Sequence, residues 1–201
     1  MVRRAETAAT SKGGRGARER ILAAAAELFA RDGIHATGIA KLTDAAHVST
    51  RTLYQHFPSK DALITAYVQQ LEVDPKGPIA IEAVLDRTDI GPRERLLGLF
   101  ETPPRGRTKA VVRGCPLHNT VVEAAGQLPE ATAIVERHKQ ELVARLIETA
   151  RELGASDPHA LGRQLAVIFE GSRALSTSLN DARPVADARE LVRTLIDSSI
   201  P

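Results

Sequence analysis

From Asp74 onward, prolines stand repeatedly at the head of apolar segments with helical period: Pro75, Pro78, Pro92, Pro116, Pro129, Pro158 and Pro184, with a Pro-Pro pair at 103–104. Proline has no N–H to donate and a fixed φ, so it fits the first turn of a helix and breaks its interior. The segments so bounded run over about 78–87, 92–101, 116–126, 129–153, 158–180 and 184–199. No stretch alternates apolar and polar residues with period two between turn signals, which leaves no place for a sheet. The chain is therefore expected to be all-α, with about nine to ten helices. Residues 103–114, PPRGRTKAVVRG, break the pattern and read as an exposed loop.

The first 60 residues carry a tighter arrangement. Residues 1–14 are rich in Ala, Thr, Gly and Arg without periodicity and read as a disordered basic tail. Ile21, Leu22, Ala25, Leu28 and Phe29 then fall on one helical face, which Arg31-Asp32-Gly33 ends. Thr37 offers an N-cap hydroxyl to a second short helix carrying Ile39, Leu42, Ala45 and Ala46. His47-Val48 turns the chain, and Ser49 caps a third helix with Leu53 and Phe57 inward. Pro58-Ser59 then hands over to a fourth helix from Lys60 to about Leu71. Leu22, Phe29, Ile39, Leu42, Val48, Leu53 and Phe57 supply a small common core. Two short helices joined by a tight turn, over about 37–57, form a device that sets a helix end into the major groove of DNA.

Charge agrees with that placement. Residues 1–60 hold ten Lys/Arg against five Asp/Glu, a net +5, whereas residues 61–201 hold 17 against 20, a net −3. A basic end on a weakly acidic body is the footprint of a nucleic-acid partner. Other classes are disfavoured. No apolar run approaches the roughly 18 residues of a membrane span, and the N-terminus has no apolar stretch of the secretory kind. A single cysteine excludes an intramolecular disulfide and fits a reducing cytoplasm. The six histidines at 35, 47, 56, 118, 138 and 159 form no i, i+4 pair, so no metal site is expected. With no Gly-rich phosphate loop and no G-x-S-x-G, neither an enzyme nor a resident cofactor is expected. A purely structural dimer would leave the charge asymmetry unexplained.

The run GIHATGIAKLTDAAHVSTRTLYQHFPSKDAL, preceded by RERILAAAAELFARDG, resembles the tetracycline-repressor (TetR) family of bacterial transcription regulators over roughly residues 16–70. The matched positions are the Leu-Phe pair of the first helix, Gly33, Thr37-Gly38, the A-x-V-S turn, L-Y-x-H-F and S-K-x-A-L. The expected organisation is a tail (1–14), a helix-turn-helix DNA-binding domain (15–60) and a helical regulatory and dimerisation domain (61–201). Thr37 would give a phosphate a short donor at a helix N-terminus. Ser49, Thr50 and Arg51 lie on the first turn of the recognition helix, where the Arg51 fork could reach guanine O6 and N7. Thr52 and Gln55 are further candidates for base contact. The resemblance implies that Tyr54 and Lys60 bind the DNA backbone with His56 near it, while Arg15 and Arg18 can add sequence-independent contacts. One position departs from the family. His47 stands where a glycine is usual, in a turn that suits positive φ, which His adopts more readily than most residues.

The resemblance beyond residue 60 is architectural only. It implies that the last two helices pair with those of a second copy, and segments 158–180 and 184–199 do carry more than one apolar or small face. Leu161, Leu165, Phe169, Leu175, Leu191 and Leu195 are the interface candidates. A two-fold operator needs two reading heads, so a homodimer is expected. An effector pocket would lie among helices 92–101, 116–126, 129–153 and 158–180, with His118, Asn119, Glu123, His138, Phe169 and Glu170 as candidate lining. Few aromatics (3%) point to an aliphatic pocket for an unidentified small apolar effector. The expected protein is thus a homodimeric repressor of a double-stranded DNA operator. An alternative is a regulator with no small ligand, or one switched by oxidation of Cys115, which sits at a helix start near Arg113.

Overall fold

The computed structural model describes residues 16–74, 77, 79–101 and 114–201. The tail 1–14, Arg15 and loop residues 103–113 lie outside that set. Among the described residues the secondary structure is helical throughout, as expected. Nine α-helices run in order: α1 Ala17–Asp32, α2 Ile39–Ala46, α3 Thr50–His56, α4 Lys60–Val73, α5 Pro92–Gly98, α6 Pro116–Ala124, α7 Pro129–Glu152, α8 Pro158–Leu179 and α9 Arg183–Ser199. Four of them begin on a proline and α9 has one at its second residue, the positions at which the missing N–H removes no helical bond. Segment 78–87 is instead a 3-10 helix over Ala80–Asp86. No helix of the described residues is long and apolar enough to cross a membrane.

Two compact units divide the chain, one ending at Tyr67 and the other beginning at Val68, within α4. In the first, Ile21, Leu22, Ala25, Leu28 and Phe29 of α1 are buried with Leu42 of α2 and Leu53 of α3. Tyr67 meets Phe29 edge to face with ring centroids 5.3 Å apart, a packing worth about 0.5–1.5 kcal/mol beyond its buried area. Two expected members of this core, Ile39 and Val48, are only half-buried. Ile34, in the α1–α2 connection, is buried instead.

The second unit is organised by α7, α8 and α9. Leu142 and Leu146 of α7, Leu161, Leu165 and Phe169 of α8, and Val192 and Ile196 of α9 share one core with Leu96, Leu97 and Phe100. Phe100 and Phe169 meet edge to face at 5.8 Å. Helices α7 and α8 approach closely at Gly162, where a Cβ would stand 2.7 Å from the backbone nitrogen of Ile147. Ion pairs brace the outside: Arg95 with Glu152, Arg93 with Asp197 at 2.5 Å, and Arg145 with Asp86 at 2.6 Å.

Three helices end in the same way with three different residues. In each, a residue in the left-handed region donates its N–H back to the carbonyl three residues before it. The next residue donates to the carbonyl five residues before itself. Gly154 occupies the left-handed position after α7 (φ 84), Asn180 after α8 (φ 49) and His47 after α2 (φ 51). Glycine does this at no steric cost and Asn at a small one, so His47 is the strained member of the set.

Candidate nucleic-acid interface and effector cavity

The reading head is built from its caps inward. Ser49 precedes α3, and its hydroxyl accepts the Thr52 N–H at 3.0 Å while sharing a 2.8 Å hydrogen bond with the Thr52 hydroxyl. This fixes the first turn of α3 and leaves Thr50, Arg51, Tyr54 and Gln55 exposed together, at i, i+1, i+4 and i+5. Tyr54 is 45% exposed and is therefore not a packing residue. The opposite side of α3 carries Leu53, and Phe57 follows at the C-cap; both are buried. His56 and Lys60 are half-buried at the end of α3 and the start of α4, where the Ser59 hydroxyl accepts the Ala62 N–H at 3.0 Å. Helix α1 braces the head from behind. Arg18 holds its guanidinium 5.3 Å from the Phe57 ring centroid. Arg20, a residue that sequence reasoning missed, donates from Nε to the Ala46 carbonyl at 3.2 Å, next to the His47 turn.

Thr37 needs correction. Helix α2 starts at Ile39 with Gly38 as its N-cap, one position later than expected. Thr37 is fully buried, and its hydroxyl donates to the Gly33 carbonyl at 2.7 Å. It fastens the end of α1 to the connection before α2 and is not available as a phosphate donor.

The interface candidates on α8 and α9 also divide. Leu161, Leu165 and Phe169 are buried in the core of their own unit, and Leu195 is half-buried against it. They face inward because they continue the stripe that packs on α7, so they are not free for a partner. Leu175 and Leu191, the other two candidates, are exposed, at 50% and 56%. Val167, which was not anticipated, and Leu179 join them at 72% and 61%. The signal was present as a second apolar or small stripe, Val167, Gly171, Leu175 and Leu179, with four-residue spacing.

A cavity of about 170 Å³ lies between the start of α6 and the C-terminal half of α8. Three of the candidate lining residues, His118, Asn119 and Glu170, border it together with Cys115, Arg173 and Thr177. Glu123 and Phe169 do not; Phe169 is in the core, with the Arg173 guanidinium 5.0 Å from its ring centroid. His138 faces another way, with Nε2 3.0 Å from the buried Glu82 carboxylate though misaligned for a hydrogen bond, and Nδ1 4.0 Å from Glu72. No large aliphatic side chain lines this cavity, whose polar groups come from His118, Asn119, Glu170, Arg173 and Thr177. Lys139 reaches the cavity wall from α7, donating to Glu170 Oε1 at 2.6 Å with its Nζ 3.7 Å from the buried Cys115 Sγ. Burial alone would lower its pKa, but negative charge at Cys115 and the bond to Glu170 outweigh that and raise it. Lys139 is therefore an ammonium at neutral pH. Among the described residues no cluster of His, Cys, Asp or Glu is arranged to hold a metal ion.

Comparison with known proteins places these features. The sequence pattern of bacterial regulatory proteins of the tetR family matches residues 21–67. The HTH-type transcriptional regulator UidR of Escherichia coli K12 is 43% identical over 53 residues, 26% of this chain and 27% of UidR. The HTH-type transcriptional activator FasR of Mycolicibacterium smegmatis is 45% identical over 53 residues, 26% of this chain and 24% of FasR. The match thus spans about a quarter of these curated relatives. The crystal structure of sav143 from Streptomyces avermitilis, assigned to the TetR regulators, matches far more. It is 31% identical with a TM-score of 0.67, and the match covers 91% of this chain and 97% of that one.

Proposed function

This chain belongs to the TetR family of bacterial transcription regulators, and from that premise we propose that it is a homodimeric repressor whose grip on a two-fold operator is released by a small effector. Regulators of this family are DNA-binding transcription factors and not enzymes. The observation that carries the reading is the bare face of α3, where Thr50, Arg51, Tyr54 and Gln55 stand exposed on a helix pinned by its Ser49 cap. In the major groove, Arg51 and Gln55 read base edges, Tyr54 and Lys60 hold the backbone, and Arg18 adds positive charge while stacked on Phe57. Cytoplasmic DNA is the partner, and no membrane is involved.

The dimer rests on the second stripe of α8. Val167, Leu175, Leu179 and Leu191 of α9 leave apolar surface bare, and at Gly171 a Cβ would meet nothing within 4 Å. A second copy covers these residues by close helix approach, and the two heads then bind two half-sites. The effector enters the cavity beside α6 and α8. At about 170 Å³ it is below the roughly 300–1,000 Å³ typical for a drug-sized ligand, and its lining selects a small, partly polar molecule. If the effector lowers operator affinity by a given factor, the operator lowers effector affinity by the same factor.

A shift assay of the full chain on DNA from its own upstream region tests this reading. A salt-sensitive complex of two chains per site is expected, with protection of a palindrome. A monomer bound to DNA, or no sequence preference over random duplex, would sink the repressor reading. Expression from that promoter that falls when the gene is deleted would mark an activator instead.

A further inference from the structure

One peptide group sits at the hinge of the reading head, between Ala46, the last residue of α2, and His47, the left-handed residue that follows. Its N–H belongs to His47 and donates back into α2, to the Asp44 carbonyl at 3.1 Å. Its carbonyl belongs to Ala46, which is 2% exposed, and a shielded carbonyl without a donor is costly. As one of the last carbonyls of α2 it has no N–H of its own helix to accept. Arg20 of α1, 26 residues away, supplies the donor with Nε 3.2 Å from the oxygen. A cation at a helix C-terminus also suits the helix dipole. The peptide plane is thus held on both edges. Rotating it would change ψ of Ala46 and φ of His47 together, and would break a bond on each side. That rotation is the one that would carry His47 out of its strained φ of 51.

We propose that Arg20 is a positioning residue for operator selectivity: its bond to the Ala46 carbonyl holds His47 in the left-handed turn and so sets the angle at which α3 leaves α2. The role rests on the reading of α3 as the recognition helix and adds to it a residue that touches no base. Helix α3 follows the turn at once, with Ser49 as its N-cap and Thr50 and Arg51 on its first turn. Hydrogen bonds to base edges are directional, whereas attraction to phosphate charge is not, so loosening the turn costs selectivity before it costs general affinity. A glycine at position 47 would rest in the turn unaided. Histidine rests there under strain, and Arg20 is the outside brace that holds it. The two residues therefore act as a pair, although they are far apart in sequence.

Titrations of the full chain against its operator and against random duplex, at several salt concentrations, test this, with amide hydrogen exchange of the free protein beside them. Arg20→Met should lower operator affinity on the order of 10-fold. Random-duplex affinity and the slope of log affinity against log salt should stay nearly unchanged. In the free protein the Val48 N–H, bonded to the Thr43 carbonyl at 3.0 Å, should exchange faster by a similar factor. Adding His47→Gly should restore most of both losses, because a glycine turn has no strain to hold. A general stabilising role for Arg20 would instead give additive effects, and additivity overturns the proposal. So does an equal loss on operator and random duplex. A salt slope shallower by about one would mean that Arg20 grips a phosphate directly, which also overturns it. Should Arg20→Met not fold, Arg20→Lys is read in the same way. It keeps the charge but not the flat Nε–H donor, and should show a smaller loss of selectivity with the same rescue by His47→Gly. A native chain that does not prefer its operator would count against the repressor reading, and the exchange measurements on the free protein would then decide on the brace alone.

Discussion

Helix α3 of the reading head and helix α8 of the C-terminal unit each bury one face and leave the other bare, but the bare faces are opposite in chemistry. On α3 they are Thr50, Arg51, Tyr54 and Gln55, groups that water satisfies and that a nucleic acid groove satisfies equally well. On α8 they are Val167, Gly171, Ala174, Leu175 and Leu179, groups that water does not satisfy. Apolar area left in water forgoes about 25 cal/mol per Å², so this face gains stability when something dry covers it. A partner that is a hydrated polyanion matches the first, and a partner with the same apolar stripe matches the second. Exposure by itself does not identify a site; the hydrogen-bonding capacity of what is exposed tells which kind of partner it awaits.

The comparison is easiest to break within α8, which carries a glycine on each face. A Cβ at Gly162 would lie within 2.8 Å of both backbone and side-chain atoms of Ile147, and backbone cannot yield. Gly162→Ala should therefore destabilise the unit by about 3 kcal/mol. At Gly171 nothing stands within 4 Å, so Gly171→Ala should be neutral or stabilising by up to about 1 kcal/mol through helix propensity. Gly171→Trp should fold as a monomer, seen by sedimentation at half the native mass. Equal melting of the two Ala variants would mean that both faces are equally packed.

On α3 the test is DNA choice. Arg51→Ala should cost about 1–3 kcal/mol on the operator and almost nothing on random duplex, measured by titration at fixed salt. Leu175→Glu should do the reverse of a base-reading loss. It should weaken binding to the two-fold site by breaking the pair of heads, and leave binding to an isolated half-site intact. If Leu175→Glu also lowers half-site affinity, the bare face of α8 has some role besides pairing.

Much of this was legible in sequence because it depends on local chemistry. Proline at a first turn, Ser49 and Ser59 as caps and the inward Leu53 and Phe57 are decided within a few residues, and the structure has them as expected. Thr37 was misread by one position because two candidates for an N-cap stand side by side. A hydroxyl that caps a helix and one that bonds back to the preceding turn look alike in sequence. The α8 stripes were separable in principle by spacing. Which of them faces the core, however, depends on where α7 and α9 lie, and that is not local. The cavity was least legible, since its wall joins Cys115 to Lys139 and Glu170 across 24 and 31 further residues. His138 was drawn to Glu82, far from it in sequence, for the same reason.

Smaller effects sharpen the reading head itself. His47, Gly154 and Asn180 close their helices with one hydrogen-bond pattern, so the residue at the left-handed position is the variable. His47→Gly removes the strain of a Cβ there and should stabilise the first unit by about 1 kcal/mol. Gly154→His should cost a similar amount in the second. Thermal melts of both variants check this, and a His47→Gly variant less stable than native would show that the imidazole has a role in the turn.

The weakest effect is a titration, and it separates the units because a bare face of Val and Leu has nothing to titrate. Asp32, at the end of α1, accepts hydrogen bonds from Arg31 and from Lys41 of α2, the latter at 2.7 Å. These bonds outweigh desolvation and hold its carboxyl down to about 2. Its folded pKa is thus below the roughly 3.9 of an unfolded Asp. The α1–α2 tie is therefore complete above that value and is lost as pH falls toward 2. A carbon-detected NMR titration of the Asp32 carboxyl should give a midpoint near 2, and Lys41→Met should raise it. A midpoint at the ordinary Asp value would mean that the tie between α1 and α2 does not form in solution, leaving the reading head to be held by its buried residues and by Arg20 alone.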